Sequence, residues 1–191
     1  MPSSDAPYIV GLGGAIRAGS STEKALRLVL AGAEKRGART HLISGEALRL
    51  PLYAPEDPSR SDAARAMVAE LIKADGIVLG SPGYHGTLSG VIKNALDYAE
   101  DMRVDARPYF AGRPVGCVAT AGGWQGAVHT LGALRNIVHA LRGWPTPMGA
   151  AINTSDGVFD PDGACKDQRI AETLDQIAVE VLDFIHAKAP A

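Results

Sequence analysis

The chain has 191 residues, of which 46% are hydrophobic and 21% are charged, so its apolar content suffices for one core of average domain size. Nineteen Lys and Arg residues stand against 21 Asp and Glu residues, a formal net charge of -2. This balance offers no excess positive charge to hold a nucleic acid or an anionic membrane surface. We therefore expect a single domain spanning residues 1–191, with no nucleic-acid or membrane partner.

Two features of the sequence favour a cytoplasmic protein. No stretch approaches the roughly 20 apolar residues that a membrane-spanning helix needs, and Met1 to Pro7 carries no basic residue. The two cysteines, Cys117 and Cys165, lie far apart without a C-x-x-C motif. This spacing argues against a disulfide framework, a zinc site and a dithiol redox centre, and it predicts two inert thiols.

Short apolar runs alternate along the chain with segments of helical period. The runs predict strands at 8–12, 41–43, 76–80, 114–119 and 148–152. Helices are predicted from Ser20 to near Gly37 and at 63–73, 88–100 and about 126–141, and a final helix carries an apolar stripe from Ile170 to Ile185. Ser20 followed by Glu23 matches a capping box at the start of the first helix.

Five strands alternating with five helices predict an α/β fold, a doubly wound parallel sheet with helices on both faces. The usual strand order of five-stranded sheets of this class is 2-1-3-4-5, with the ligand beyond the carboxyl ends of the strands. Glycine-rich breaks follow the first, third and fourth predicted strands. We expect these three loops to meet at one crevice and to form the binding site.

The first loop, from Gly13 to Thr22, has the composition of an anion site. Small residues, Arg17 and three hydroxyl groups precede a helix start, where free backbone N–H groups and the helix dipole attract phosphate. An equally weighted alternative is that Ser20 merely caps the helix and Arg17 extends into solvent. Two known phosphate motifs fail: Ser20 occupies the lysine position of a P-loop, and Ile16 occupies the third glycine position of a dinucleotide fingerprint. A terminal monophosphate remains, as in a mononucleotide.

The second loop carries a family resemblance. The segment S-P-G-Y-H-G-T-L-S-G at 81–90, running into K-N-A-L-D at 93–97, resembles the NAD(P)H-dependent FMN reductase family of flavodoxin-like proteins. The segment at 14–22 is similar to that family's G-S-x-R-x-x-S-x-[NT] phosphate motif. The resemblance extends from the first strand to about Ile152. Ala15 stands where the family usually has a phosphate-binding serine, and the loss of one hydroxyl predicts a less tightly held, exchangeable FMN.

The third loop, T-A-G-G-W-Q-G at 120–126, resembles the family's glycine-rich segment beside the flavin pyrimidine. Glycines allow backbone N–H groups to approach a planar ring and to stabilise the negative charge that develops at N1 and O2 on reduction. An isolated Gly122-Gly123 pair would instead indicate a tight turn. Trp124 covers the flavin in one interpretation and is covered by a partner subunit in another.

The sequence therefore predicts an enzyme that transfers hydride from NAD(P)H to FMN, with no catalytic side chain and no metal. Tyr84 and His85 shape the floor under the flavin or meet the nicotinamide in one interpretation, and His85 is an ordinary hydrogen-bonded loop residue in the other. The predicted cofactor-binding residues are Gly14, Arg17, Ser20, Ser21, Thr22, Pro82, Gly83, Tyr84, His85, Gly86, Thr120, Ala121, Gly122, Gly123, Gln125 and Gly126.

Two alternatives to this prediction stay open. The same fold could keep FMN as a prosthetic group and reduce quinones or azo compounds, which co-purification of flavin and quinone turnover would reveal. A flavodoxin-like electron carrier without enzyme activity is the second alternative, although such carriers are usually strongly acidic. The resemblance also implies a homodimer or homotetramer, with supply of reduced FMN to a flavin-dependent monooxygenase.

Overall fold

Six strands form the central sheet in the computed structural model of the chain, which describes residues 6–188. The strands are β1 (Tyr8–Gly13), β2 (Arg39–Ile43), β3 (Gly76–Tyr84), β4 (Thr87–Leu88), β5 (Pro114–Ala121) and β6 (Trp144–Asn153). Five helices connect them: α1 (Ser21–Glu34), α2 (Asp62–Lys73), α3 (Gly90–Asp97), α4 (Trp124–Ala140) and α5 (Gln168–Lys188). Short 3-10 turns occupy Gly45–Leu48 and Tyr98–Met102.

The strand order is β2-β1-β3-β5-β6, and each neighbouring pair in this path is parallel. This order matches the predicted doubly wound arrangement. The predicted count of five strands is wrong, because β4 pairs antiparallel with the end of β3. Two residues are too few to show strand periodicity in a sequence.

Several predicted boundaries also differ from the structure. Strand β3 does not break after Gly80 but continues to Tyr84, because its later residues remain paired, first with β5 and then with β4. Strand β6 begins at Trp144 rather than at 148, and helix α4 begins at Trp124 rather than near 126. The third predicted helix ends at Asp97, where a 3-10 turn follows.

Helices cover both faces of the sheet and produce two apolar layers. Helices α1 and α5 pack on one face, where Ile9, Val78 and Val118 contribute from the strands. Helices α2, α3 and α4 pack on the other, where the alternate residues, such as Val10 and Ile77, point. The parallel strands are thus buried on both sides, which explains their continuous apolar runs.

Glycines allow α1 and α5 to lie close to the sheet. A Cβ atom at Gly80 would lie 2.9 Å from the Leu26 side chain, and one at Gly116 would lie 2.4 Å from Ile177 Cγ2. Neither distance is compatible with a larger residue in the present packing. The helix that follows the first loop is therefore held directly over β3.

A buried arginine organises the opposite, amino-terminal edge of the sheet. The Arg113 guanidinium is fully buried and donates hydrogen bonds to the carbonyl oxygens of Ala74 at 2.9 Å, Ile72 at 2.7 Å and Tyr109 at 2.9 Å. Burial lowers the pKa of this guanidinium to about 10. The carbonyl dipoles compensate the buried positive charge, and the hydrogen bonds hold the end of α2 against the start of β5.

Candidate functional site

The three glycine-rich loops meet at the carboxyl edge of the sheet, as predicted. Strands β1, β3 and β5 are direct neighbours, with Gly13 opposite Gly80 and Pro82 opposite Thr120. The first loop is attached to β3 by a hydrogen bond from the Gly14 N–H to the Gly80 oxygen at 3.2 Å. A Cβ atom at Gly13 would lie 2.1 Å from that same oxygen, so this contact requires glycine.

The first loop ends in a capped helix start. Ser20 Oγ accepts a hydrogen bond from the Glu23 N–H at 3.2 Å, which is one half of the predicted capping box. The Glu23 carboxylate returns to the Gly19 N–H at 3.0 Å rather than to that of Ser20. Sequence reasoning identified this capping pair but not the position of the carboxylate inside the predicted phosphate loop.

Several donors of the first loop are available to a ligand. Within residues 6–188, the N–H groups at 15–18 and those of Ser21 and Thr22 have no hydrogen-bond acceptor. Arg17 is exposed, and its guanidinium makes no hydrogen bond or ion pair within the same residues. The loop therefore presents unpaired backbone donors and one free guanidinium at the positive end of α1.

A pair of threonines joins the first loop to the third. Thr22 and Thr120 are both buried, and their hydroxyl oxygens lie 2.6 Å apart. Thr22 belongs to the first turn of α1, whereas Thr120 is the penultimate residue of β5. The two loops are thus held in a fixed relation by a direct side-chain hydrogen bond.

The second loop is a β-hairpin rather than an irregular segment. Tyr84 pairs with Thr87, so His85 and Gly86 form a two-residue turn with φ values of 50° and 95°. Ser81, which sequence reasoning did not select, accepts a hydrogen bond from the Ser89 N–H at 2.9 Å. This contact fixes the return of the chain into α3, while Tyr84 remains half exposed beside the crevice.

Gly83 brings the end of β3 against α4. A Cβ atom there would lie 2.6 Å from Thr130 Oγ1 and 3.0 Å from the Gly126 carbonyl oxygen. Thr130 Oγ1 is buried and has no hydrogen-bond partner within the described residues. Gly83 therefore shapes the site through packing, because it holds the second loop against α4 and the third loop.

The third loop is open and lies at a helix start that no side chain caps. Gly122 and Gly123 have no heavy atom within 4 Å of an added Cβ, so a side chain there would project into free space. Gly123 is the N-cap of α4 and makes no side-chain cap hydrogen bond. Trp124 is 62% exposed at this end of the helix. The N–H groups of the first helical turn therefore have no side-chain cap and remain available to a ligand.

A cavity of about 1140 Å³ has Trp124 in its wall. Asn153, Asp156, Lys166 and Arg169 contribute to its wall, which combines charges of both signs with the indole ring. The cavity adjoins the third loop and includes no residue of the first two. It provides room for a second molecule beside the three-loop crevice.

Two negative findings concern the described part of the chain. Residues 6–188 contain no group of three or more His, Cys, Asp or Glu side chains placed to hold a metal ion. Within the same range, no helix combines the length and the apolar character needed to cross a membrane.

Residues 7–156 match the family described as NADPH-dependent FMN reductase. The chain belongs to this family. Among curated proteins, the FMN-dependent NADPH-azoreductase of Staphylococcus aureus is 40% identical over 91 residues. That match covers 48% of this chain and 45% of the azoreductase, so it spans less than half the length of the curated relatives.

Solved structures confirm the flavodoxin-like fold. The flavoenzyme NAD(P)H:(acceptor) oxidoreductase FerB from Paracoccus denitrificans superposes with a TM-score of 0.78 at 23% identity, covering 95% of this chain and 98% of that one. The flavodoxin-like WrbA-like protein from Agrobacterium tumefaciens gives 0.64 at 18% identity, covering 97% and 100%. At these identities the likeness establishes architecture alone.

The three loops fit the FMN that the family name implies. The first loop has unpaired N–H groups and the free Arg17 for a phosphate. At the third loop, the free space over Gly122 and Gly123 is what a planar ring needs, and a Cβ at either position would enter it. The buried Thr22–Thr120 contact sets the two loops at a fixed separation.

Proposed function

We propose that the protein is an NAD(P)H-dependent FMN reductase that transfers hydride from nicotinamide to flavin. The observation that carries this proposal is the convergence of a phosphate-type helix start, a hairpin and an open glycine pair on three adjacent strand ends. FMN bound there supplies the hydride-accepting ring atom. The protein's task is to hold two planar molecules in contact, which needs geometry more than an acid or base.

We assign the phosphate to the first loop. The Arg17 guanidinium gives a forked donor, and the first turn of α1 gives N–H groups and the positive end of its dipole. The proposed phosphate residues are Gly14, Arg17, Ser20, Ser21 and Thr22. Thr22 can donate its hydroxyl proton to the ligand only when Thr120 donates the hydrogen bond between the two hydroxyls, which lie 2.6 Å apart.

We assign the isoalloxazine ring to the second and third loops. The residues proposed to surround it are Pro82, Gly83, Tyr84, His85, Gly86, Thr120, Ala121, Gly122, Gly123, Gln125 and Gly126. The uncapped backbone N–H groups at the start of α4 support this assignment, because such donors can stabilise negative charge on the pyrimidine edge. We propose that no side chain acts as a catalytic acid or base, and that the nicotinamide approaches from the side of Tyr84 and Trp124.

Flavin binding and reduction test the proposal. Fluorescence quenching should give tighter binding of FMN than of riboflavin, because riboflavin lacks the phosphate. Stopped-flow absorbance should then show reduction of bound FMN by NADPH or NADH, with the two coenzymes compared at saturation. Equal affinity for both flavins would contradict the phosphate site, and flavin binding without NAD(P)H oxidation would favour the electron carrier.

The azoreductase relative supports a second candidate, in which bound FMN passes its electrons to an azo compound or a quinone. The cavity beside Trp124 gives room for such an acceptor. The two candidates differ in the fate of FMN. Two results would favour the second candidate. One is flavin that co-purifies with the protein and stays bound through gel filtration, and the other is faster reduction of a quinone or an azo compound than of added FMN.

We further propose a single-domain, cytoplasmic homodimer or homotetramer that supplies reduced FMN to a flavin-dependent monooxygenase. The continuous sheet from Tyr8 to Asn153 supports one domain, and the exposed Trp124 and Val128 of α4 support contact with a second copy. The free thiols of Cys117 and Cys165 are compatible with a reducing compartment. Light scattering, and a coupled assay with a monooxygenase, test these points.

A further inference from the structure

The carboxylate of Glu23 is buried at the helix start where the proposed phosphate would bind. The Glu23 side chain is only 8% exposed and accepts the Gly19 N–H at 3.0 Å. Its Cβ lies 3.6 Å from the position that a Cβ would take at Gly14. The side chain therefore contacts the first loop near both Gly14 and Gly19, and it occupies one of the loop's backbone donors.

Arg27 is the counter-charge of this carboxylate. Its Nε and Nη2 atoms donate to Glu23 Oε1 at 3.0 Å and 2.7 Å. The Arg27 side chain is 62% exposed, so water screens it more than the buried carboxylate. The ion pair neutralises Glu23 only in part. Within residues 6–188, no other cationic side chain forms an ion pair with Glu23.

From this placement we propose that Glu23 sets the affinity of the protein for FMN by opposing its phosphate. The carboxylate brings a negative charge to the positive end of α1 and accepts a hydrogen bond from the Gly19 N–H. A phosphate that arrives at the same helix start meets a like charge and one donor fewer. The consequence is weak, reversible FMN binding, in which flavin leaves as a product. This inference rests on the proposed function and specifies how its phosphate site is tuned.

Glu23→Gln tests the proposal, because the amide oxygen keeps an acceptor for the Gly19 N–H while the negative charge and the acceptor for Arg27 are lost. We expect the dissociation constant of FMN to fall about tenfold while that of riboflavin stays within twofold. Glu34→Gln is the matched control, since it removes one charge from the exposed last residue of the same helix, about 16 Å away. The control should leave the ratio of the two dissociation constants unchanged.

A second variant separates electrostatics from loop structure. In the parent, Arg27→Gln removes the counter-charge of Glu23, so the carboxylate should repel the phosphate more strongly and FMN binding should weaken several-fold. In the Glu23→Gln background there is no carboxylate to neutralise, so the same change should have a far smaller effect. Circular dichroism and urea unfolding of each flavin-free variant check that the loop still folds.

The results distinguish the inference from the function on which it rests. An FMN affinity in Glu23→Gln that is unchanged or weaker, with riboflavin binding intact, would overturn the role of Glu23 alone. An equal effect of Arg27→Gln in both backgrounds would overturn it as well. A parent protein that binds FMN and riboflavin equally would instead refute the phosphate site, and with it both proposals.

Discussion

The hydroxyl groups of Thr22 and Thr120 lie 2.6 Å apart in the buried interior, although 98 residues separate them in sequence. This contact joins the first turn of α1 to the end of β5. Each hydroxyl would be left without this partner if the other were removed, and a buried unpaired hydroxyl costs about 1–3 kcal/mol.

We therefore expect Thr22→Val and Thr120→Val each to reduce the free energy of unfolding by about 1–2 kcal/mol. The double variant should lose less than the sum of the two, because no hydroxyl then remains unpaired. Urea denaturation of the four proteins gives the coupling energy. Additive losses would mean that the two hydroxyls do not stabilise each other.

Arg17 is the residue on which the phosphate assignment can be tested most directly. It is exposed and makes no contact that stabilises the fold in the described part of the chain. A charge-assisted hydrogen bond contributes roughly 1.5–3 kcal/mol, so Arg17→Ala should weaken FMN binding by about one to two orders of magnitude. Riboflavin binding should hardly change. Arg65→Ala, on the exposed side of α2, is the control for loss of a positive charge.

Gly123→Val probes the position of the flavin ring. The backbone of Gly123 is extended, with φ of -175° and ψ of 152°, and an added Cβ meets no atom within 4 Å. The variant should therefore fold, at a cost of about 1 kcal/mol for valine at a helix N-cap, and it should lose flavin affinity because the branched side chain enters the space assigned to the ring. Thermal unfolding and fluorescence quenching measure the two effects. A stable variant with normal affinity for FMN and riboflavin would place the ring elsewhere.

His85 should be dispensable for hydride transfer. Its φ of 50° is a left-handed conformation that asparagine adopts more readily than most residues. His85→Asn should thus keep the hairpin and reduce bound FMN within about tenfold of the parent rate, whereas loss of a general acid would cost roughly 100-fold or more. Single-turnover reduction at saturating NADPH isolates the chemical step. A loss beyond 100-fold with FMN still bound would make His85 catalytic.

The two thiols should differ in reactivity. Cys117 is buried in β5, and desolvation raises the pKa of its thiol to about 12. Cys165 is partly exposed and donates to the Asp167 carbonyl oxygen at 3.2 Å. At pH 8 a disulfide reagent should react with one thiol per native chain and with both after denaturation. Cys165→Ser should show no fast reaction, and a fast native reaction of that variant would contradict the burial of Cys117.

The sequence was sufficient to predict the strand order and the meeting of the three loops, because buried parallel strands leave apolar runs and glycine-rich breaks. It was insufficient for β6, which starts at Trp144, since Pro145 and Pro147 argue against a strand. The structure accommodates them because β6 is an edge strand with an irregular register between Val115 and Cys117 of its neighbour.

The site was predicted less completely than the fold. A capping box is a local pattern, so Ser20 and Glu23 were found together, yet the pattern does not say which N–H the carboxylate reaches. The contact between Thr22 and Thr120 depends on long-range packing and leaves no periodic signal. Gly83 was predicted to contact the ligand, and its close approach to Thr130 adds a packing role that depends on long-range contacts.

The buried guanidinium of Arg113 has a consequence for protein engineering. It ties the end of α2 to the start of β5 at the edge of the sheet opposite the three loops. Mutational libraries confined to the loops leave this anchor intact, and the exposed side chains of Tyr84 and Trp124 beside the crevice are the positions to vary. Acceptor specificity should therefore be evolvable at the carboxyl edge with little loss of thermal tolerance, whereas randomising residues 105–113 should yield mostly insoluble protein.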